Sequence, residues 1–160
     1  GLKGGKILHF APEKIFKKEL SSLNNFVYHT TDYNMQDVTF KNENLMKLNF
    51  ENASYDLILI NHVLEHVKDD NMAIYEISRV LNNGGIAIIT IPINLRYNKT
   101  KNFSDIDSNG HYRDYGRDVV FLFKKHFSKV KYLNLNIYDN SNNAIKKIEP
   151  AFICLKWRLD

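Results

Sequence analysis

Six short runs of apolar and β-branched residues divide the chain into segments of strand length. Runs of about four to eight such residues, bounded by polar or turn-forming residues, are typical of β-strands. The run at Leu57–Ile60 is continuously apolar, which indicates a central strand of a parallel sheet that is covered on both faces. The predicted strands are Lys6–Phe10, Phe26–Thr31, Leu57–Ile60, Ile86–Ile91, Val130–Ile137 and Ala151–Trp157.

Three amphipathic helices are predicted between these strands. The first spans Glu13–Leu23. The second begins at Asp69 or Asp70, either of which can cap a helix, and ends at Gly84-Gly85 because glycine tolerates positive φ. The third follows the long polar stretch that runs through Asn109. Their apolar stripes are Phe16, Leu20 and Leu23; Ala73, Ile77, Val80 and Leu81; and Val119, Val120, Phe123 and Phe127.

The alternation of strands and helices predicts the fold class. Strands that alternate with helices form a mostly parallel sheet with helices on both faces, so we expect a three-layer α/β sandwich. The last two strands are joined by the polar segment Asp139–Lys147 without a helix, which implies one antiparallel strand. The segment Asn34–Asn44 is mixed and polar and is not predicted to form a strand.

Length and composition indicate one globular domain over residues 1–160. The chain is 44% hydrophobic and 25% charged, which is sufficient for a core and argues against intrinsic disorder. It begins with Gly-Leu-Lys-Gly-Gly and reaches a strand almost at once, so we expect that an N-terminal segment of a longer protein is missing. The apolar runs are far shorter than the ~20 residues that span a bilayer, and no membrane partner is expected.

Cysteine content and charge indicate where in the cell the protein is expected and which partners it is expected to bind. The single cysteine, Cys154, cannot form an internal disulfide, and no signal peptide opens the chain, so a cytoplasmic location is expected. The net charge of +4 comes from lysines that are scattered along the chain. Because no dense basic block is present in the sequence, the charge does not favour nucleic acid as a partner.

Candidate functional residues follow the predicted strands. Ligands of an open parallel sheet bind at the carboxyl ends of its strands. The positions just after the apolar runs, or in the polar segment between them, are His9–Glu13, Asp32, Asn44-Leu45, Asn61–His66 and Pro92 onward. These positions are therefore the first candidates for a binding site.

Several motifs at these positions resemble one family. Residues Leu8–Glu13 read Leu-His-Phe-Ala-Pro-Glu, and the resemblance continues through Asn61–Val67, Arg79–Leu81, Gly84-Gly85 and Gly110–Gly116. In this combination the chain resembles class I S-adenosylmethionine-dependent methyltransferases, in a type 11-like branch with that first motif. The resemblance implies a Rossmann-like, mostly parallel seven-stranded sheet with one antiparallel strand.

The resemblance also implies S-adenosylmethionine as the cofactor and assigns residues to it. The turn after the first strand would wrap the methionine end, and Asp32 would accept hydrogen bonds from the ribose hydroxyls. Asn44 and Leu45 would face the adenine, and Asn61 and His62 would lie beside the methyl sulfonium. The expected cofactor residues are His9, Phe10, Ala11, Pro12, Glu13, Asp32, Asn44, Leu45, Asn61 and His62.

The acceptor residues are expected on the opposite side of the reacting methyl group. Methyl transfer needs positioning, exclusion of water and, for some acceptors, a base. His66 and His111 are the catalytic candidates because histidine has a suitable ordinary pKa. Arg113 and Tyr115 are expected to bind a small-molecule or saccharide-like acceptor, or else to anchor the loop. Tyr97, Phe103 and Tyr112 could shape the same pocket.

The first turn departs from the family pattern and leaves an alternative function open. Relatives carry acid-x-Gly-x-Gly-x-Gly there, whereas residues 9–14 contain no glycine and His9 replaces the acid. Glycine permits close approach of the backbone to a ligand. The alternative is therefore a catalytically degenerate, methyltransferase-like binding module.

A metal is a further alternative, although none is expected. His62-x-x-Glu65-His66 matches the His-x-x-Glu-His pattern of inverzincin metallopeptidases. It is also similar to a segment of small-RNA 2′-O-methyltransferases that holds a divalent ion with a later histidine, here His111. Such ligands favour a zinc-like ion, and a metal-dependent hydrolase is the third hypothesis. Otherwise Glu65 and His66 would form a hydrogen-bonded pair at a helix start.

Overall fold

The chain forms the predicted alternation of strands and helices in a computed structural model, which describes residues 2–139 and 144–156. The helices are α1 Lys14–Ser21, α2 Asp70–Val80 and α3 Val119–Lys124, and a single 3-10 turn, η1, spans Leu64–His66. The strands are β1 Gly5–Phe10, β2 Phe26–Asp32, β3 Phe40–Lys41, β4 Tyr55–Asn61, β5 Leu81–Thr90, β6 Lys101–Asn102, β7 Arg113–Asp114, β8 Lys129–Asp139 and β9 Ala144–Leu155.

Seven strands form one sheet in the order β3-β2-β1-β4-β5-β9-β8. Strand β1 pairs in parallel with β2 and β4, and β4 pairs in parallel with β5. Strand β9 is antiparallel to both of its neighbours. The crossovers from β1 to β2 and from β4 to β5 run in opposite directions, so right-handed connections put α1 and α2 on opposite faces. The predicted three-layer sandwich with one antiparallel strand is confirmed.

Helix α2 and the central strands contribute much of the core. The predicted α2 stripe is correct, since Ala73, Ile77 and Val80 are fully buried. The Asp69 carboxylate accepts a hydrogen bond of 2.9 Å from the amide of Met72 and so caps the helix. Burial of this stripe against the sheet is the main reason that a helix of this length is stable.

The predicted inner face of α1 is wrong. The helix forms, but it ends at Ser21, and none of its residues is buried. Phe16 is 51% exposed and Leu23 is 42% exposed. An apolar stripe gives a helix a face to bury, but burial requires a neighbouring surface at the right distance, which the described residues do not provide.

Several boundaries of helices and strands differ from the prediction. Helix α2 ends at Val80 and not at Gly84-Gly85, because Leu81 adopts an extended conformation and pairs with Tyr55 of β4. Strand β9 begins at Ala144, inside the segment predicted to be a polar connection, because it pairs along β8. Trp157, predicted to end this strand, lies outside the described residues.

Strand β3 and the β6–β7 pair were not predicted. Strand β3 has two residues and lies in a polar segment, where pairing of Phe40 with Thr31 of β2 defines it. The polar stretch after β5 contains β6, which pairs with β7. Among the described residues, no helix has the length and apolar character needed to cross a membrane.

Candidate functional site

A cavity of about 500 Å³ lies at the carboxyl ends of β1, β2 and β4. Parallel strands end at the same edge of the sheet, so residues far apart in sequence meet there. Seven of the predicted cofactor and catalytic residues line the cavity: Phe10, Ala11, Asp32, Asn44, Leu45, His62 and His66. Tyr112, which was expected in the acceptor pocket, lines it as well. The other lining residues are Tyr33, Asn34, Glu43, Met46, Val63, Val67 and Lys68.

The glycine-free turn after β1 has an unusual backbone. Ala11 adopts φ +46°, in the left-handed region that favours glycine. Its amide donates a hydrogen bond of 3.0 Å to the carbonyl of Thr31 in β2. Alanine has the smallest side chain that carries a Cβ, so this turn places backbone at the cavity wall without a glycine.

His9 and Glu13 lie behind this turn and do not line the cavity. The buried His9 ring bonds the Tyr28 hydroxyl through Nδ1 at 2.8 Å and the Glu13 carboxylate through Nε2 at 3.1 Å. Burial lowers the pKa of His9, and the nearby Glu13 carboxylate opposes this shift. Both ring nitrogens therefore hold the first turn against β2. The buried Pro12 is also absent from the cavity lining.

Asp32 lies at the end of β2 with its carboxylate oriented by the following turn. Its Oδ1 accepts hydrogen bonds of 2.7 Å from the amides of Asn34 and Met35. Two amide donors fix the direction of the carboxylate, and the residue lines the cavity. The arrangement leaves the second oxygen as an acceptor for a ligand.

Asn44 and Leu45 form the opposite wall on a tight turn. Asn44 Oδ1 accepts from the amide of Met46 at 2.9 Å, and the backbone carbonyl of Asn44 accepts from Lys47 at 2.8 Å. The side-chain oxygen thus orients the turn, and it retains a second lone pair for a ligand. Asn61 lies deeper: its Oδ1 accepts from the Thr90 hydroxyl at 3.1 Å, and it does not line the cavity.

A charged network ties this wall to α2. Glu76 accepts from the amide of Leu48 at 2.8 Å, and Arg79 donates to the carbonyls of Leu48 at 2.9 Å and Phe50 at 2.7 Å. Arg79 also bonds Glu76 at 2.8 Å, and this hydrogen bond is the main reason that the pKa of Glu76 is lowered. The network positions the segment from which Asn44 projects.

His62 and His66 line the cavity where β4 leads into η1. His62 adopts φ +51°, and its amide bonds the carbonyl of Thr90 at 3.0 Å. A residue other than glycine in this region is strained, and such strain clusters at functional sites. His66 Nδ1 lies 3.1 Å from the carbonyl oxygen of Gly110. The Glu65–His66 hydrogen bond that was the alternative to a metal site is not what the structure shows, since Glu65 Oε1 lies 3.3 Å from His62 Nδ1.

A second cavity of about 540 Å³ adjoins the end of β5. His111 and Tyr115 are among the residues that line it. The rings of His66 and His111 contact edge to face with centroids 4.8 Å apart. Because His66 lines the first cavity and His111 the second, this histidine pair lies between the two.

Arg113 and Tyr115 anchor the loop on the domain. Arg113 is 5% exposed and donates to the carbonyls of Leu64 at 3.1 Å, Val67 at 2.8 Å and Lys68 at 2.7 Å. The Tyr115 hydroxyl lies 3.1 Å from the Asp70 carboxylate, and burial raises its pKa. Of the two interpretations of Arg113, these contacts are those of an anchor, and Arg113 lines neither cavity.

Some cavity residues were not predicted, although their positions in the sequence carry a signal. Tyr33 and Asn34 come directly after Asp32, and Glu43 and Met46 flank Asn44 and Leu45. Their closeness to predicted residues is the available signal. Val67 and Lys68 carry the same signal, because they come directly after His66 at the end of η1.

Comparison with known proteins supports the fold. A family model described as a methyltransferase domain matches residues 15–89. No curated protein matches the sequence. A Burkholderia thailandensis 1,6-didemethyltoxoflavin-N1-methyltransferase has a TM-score of 0.69 at 12% identity, and the match covers 97% of this chain and 72% of that one. That structure contains 1,6-didemethyltoxoflavin and S-adenosylhomocysteine.

Two other solved structures are similar. A Methanosarcina mazei S-adenosylmethionine-dependent methyltransferase has a TM-score of 0.62 at 15% identity, with 98% of this chain and 94% of that chain covered. A Haemonchus contortus phosphoethanolamine N-methyltransferase 2 in complex with S-adenosylmethionine has a TM-score of 0.67 at 13% identity. The match covers 97% of this chain and 49% of that one, so the chain spans about half its length. The chain therefore has the Rossmann-like fold of these methyltransferases.

Proposed function

We propose that this chain is a class I S-adenosylmethionine-dependent methyltransferase that acts on a small-molecule or saccharide-like acceptor. One observation carries the proposal: Asp32, Asn44, Leu45 and His62 line one cavity at the carboxyl ends of β1, β2 and β4. This edge of an open α/β sheet is where ligands of such folds bind. The cavity volume of about 500 Å³ is sufficient for a nucleoside-sized cofactor.

In this proposal the cofactor lies across the strand ends. Asp32 accepts from the ribose hydroxyls, since its carboxylate is already oriented by two amides. Asn44 and Leu45 contact the adenine, while Phe10 and Ala11 border the methionine end and His62 lies near the sulfonium. His9, Pro12, Glu13 and Asn61 act from behind the cavity wall, where they hold the turn and the end of β4.

The backbone of the first turn supports the enzyme over the degenerate module. The absence of glycine from residues 9–14 was the reason to doubt cofactor binding. Ala11 nevertheless adopts the positive φ that a glycine would provide. The methyltransferase-domain match and the cofactor-bound structural neighbours also favour the enzyme.

We place the acceptor in the second cavity, which Tyr115 and His111 help to line. The contact between His66 and His111 separates the two cavities, so an acceptor atom must reach past these rings to a methyl group held in the first. An in-line displacement on a sulfonium needs mainly alignment of the two reactants. His66 and His111 are the candidates to take a proton from an acceptor hydroxyl or amine.

Isothermal titration of S-adenosylmethionine and S-adenosylhomocysteine into the folded protein tests the proposal. We expect one site with a dissociation constant on the order of micromolar for each ligand. Methionine titrated alone is the matched control, because it lacks the ribose and adenine that Asp32 and Asn44 would recognise. Absence of binding of both nucleoside ligands at concentrations near ~1 mM would leave the degenerate module as the better explanation.

A further inference from the structure

Three metal-ligating side chains converge between the two cavities. Glu65 and His66 belong to η1, and His111 comes from the loop before β7. One potential ligand atom from each residue lies within 4.8 Å of the others. The tertiary fold thus brings a carboxylate and two imidazoles together from distant parts of the sequence.

Glu65 lacks a partner for one of its oxygens. The residue is 1% exposed, and its Oε2 is buried without a hydrogen-bond partner among the described residues. Its Oε1 lies 3.3 Å from His62 Nδ1. A buried carboxylate oxygen without a partner is costly, since ionised groups lose their hydration on burial. A cation next to this oxygen would compensate for that loss.

Each histidine has an acceptor oxygen near its Nδ1 atom, and for His66 this oxygen is within hydrogen-bond distance. His66 Nδ1 lies 3.1 Å from the carbonyl oxygen of Gly110, which can only accept, so Nδ1 carries the proton. His111 Nδ1 lies 3.8 Å from the Asp107 carboxylate. Metal-bound histidines commonly donate one ring N–H to a carbonyl or carboxylate while the other nitrogen binds the ion. For His66 this arrangement leaves Nε2 as the ligand atom, and His111 offers one ring nitrogen to the same cluster.

We propose that Glu65, His66 and His111 bind one divalent transition-metal ion of the zinc class. Two imidazoles and one carboxylate form a ligand set that suits zinc and similar ions, whereas magnesium prefers oxygen ligands. Ligands of a tetrahedral zinc ion are about 3.3 Å apart, so the side chains would need to close by at most ~1.5 Å. Small rotations of the partly exposed His66 and His111 rings can provide this closure.

The proposed ion would lie between the two cavities, because His66 lines one and His111 lines the other. A histidine nitrogen that binds a metal cannot also take a proton. If the ion is bound, these histidines are ligands and not bases, and the remaining coordination positions are open to water or an acceptor oxygen. Metal binding itself does not rest on the proposed methyltransferase activity.

The test is direct metal binding to tag-free protein that has been stripped with EDTA and dialysed. Zinc chloride is titrated by calorimetry, and cobalt chloride is followed by its visible absorption. We expect one equivalent of each metal with micromolar or tighter affinity, and much weaker binding of magnesium chloride. His111→Ala and Glu65→Gln should each weaken zinc binding by at least about tenfold.

His126→Ala is the matched control, because His126 Nε2 bonds Asn71 at 3.1 Å and lies outside the cluster. It should bind zinc as the unmodified protein does. Since Glu65 is buried, a thermal melt checks each variant, and His66→Ala replaces Glu65→Gln if that variant does not fold. Absence of zinc binding by the unmodified protein, or unchanged binding in His111→Ala, overturns the proposal.

Titration of S-adenosylmethionine into the same stripped samples separates the two proposals. Zinc binding without cofactor binding would support the metal site and contradict the proposed methyltransferase function. Cofactor binding without zinc binding would support the methyltransferase function and contradict the metal site. Equal loss of zinc affinity in His126→Ala and His111→Ala would show that binding occurs at surface histidines, and it would also overturn the metal site.

Discussion

The amide of Ala11 donates a hydrogen bond of 3.0 Å to the carbonyl oxygen of Thr31. This bond links the turn after β1 to the end of β2, next to Asp32, and it forms while Ala11 holds φ +46°. The turn that resembles a cofactor-binding motif is thus built from a strained alanine and not from glycines. Its strain and its closeness to the cavity make it a direct subject for mutation.

Ala11→Gly should leave the free energy of unfolding unchanged or raise it by up to about 1 kcal/mol. Glycine removes the left-handed strain of ~1–2 kcal/mol, but it also increases the entropy of the unfolded chain. Ala73→Gly is the control, since Ala73 is buried in α2 and the same change should cost at least about 1 kcal/mol there. Urea denaturation measures both. Equal destabilisation by the two changes would show that Ala11 is unstrained.

Asp32→Ala should weaken S-adenosylmethionine binding by about 1–3 kcal/mol, which is roughly 5- to 150-fold. The change removes hydrogen bonds to a charged acceptor that lines the cavity. Asp37→Ala is the matched control, because Asp37 is exposed, pairs with Lys17 and does not line the cavity. Calorimetric titration of both variants measures the difference. Unchanged affinity in Asp32→Ala would remove this residue from the cofactor site.

Arg113→Ala should lower the free energy of unfolding by about 3 kcal/mol, because it leaves one buried and two partly buried backbone carbonyls without their charged donor. Arg113→Lys should recover little, since an ammonium group cannot replace the planar guanidinium fork. Arg117→Ala is the control: Arg117 is exposed and bonds one carbonyl, so the change should stay within about 0.5 kcal/mol. A stable Arg113→Ala protein would contradict the anchoring role.

Glu76 should make the protein sensitive to acid. The Arg79 hydrogen bond lowers the folded-state pKa of Glu76 below its ordinary value of 4.5. The stabilisation is therefore complete above the unfolded pKa and is lost as the pH falls through the lower, folded pKa. Glu76→Gln should be less stable than the unmodified protein at pH 7 and should lose less stability on acidification below about pH 4.5.

Urea unfolding at neutral pH and at several acidic pH values measures the Glu76 effect. Glu51→Gln is the control, because Glu51 is exposed and directly follows Phe50, whose carbonyl accepts a hydrogen bond from Arg79. Its stability should follow that of the unmodified protein as the pH falls. Parallel curves for Glu76→Gln and the unmodified protein would mean that the Glu76–Arg79 pair does not contribute to acid unfolding.

His111→Ala should abolish methyl transfer while S-adenosylmethionine affinity stays within about twofold. His111 lines the second cavity and not the first, so its loss affects the acceptor side. Turnover with an acceptor identified by screening, together with cofactor titration, measures the two effects separately. A fall in cofactor affinity alone would assign His111 to the cofactor side.

Much of the fold could be predicted, because most of its strands and helices depend on the local pattern of apolar and polar residues. The apolar run at Leu57–Ile60 is a central strand, and Asp69 with the stripe of α2 defines a capped helix. Strand β3 could not be predicted, since Phe40 becomes extended only by pairing with Thr31. The exposed face of α1 could not be predicted either, because burial depends on what lies next to Phe16.

Part of the candidate site could likewise be predicted from the sequence, and part could not. The sequence by itself determined that Asp32 and His62 follow predicted strands, and therefore that they share one edge of a parallel sheet, whereas only the family resemblance assigned Asn44 to the same site. Only the tertiary structure decided that Arg113 donates hydrogen bonds to backbone carbonyls and that Glu65 lies within 4.8 Å of His111. Periodicity reports on neighbours within one element, whereas side-chain direction and contacts between distant residues depend on packing of the whole chain.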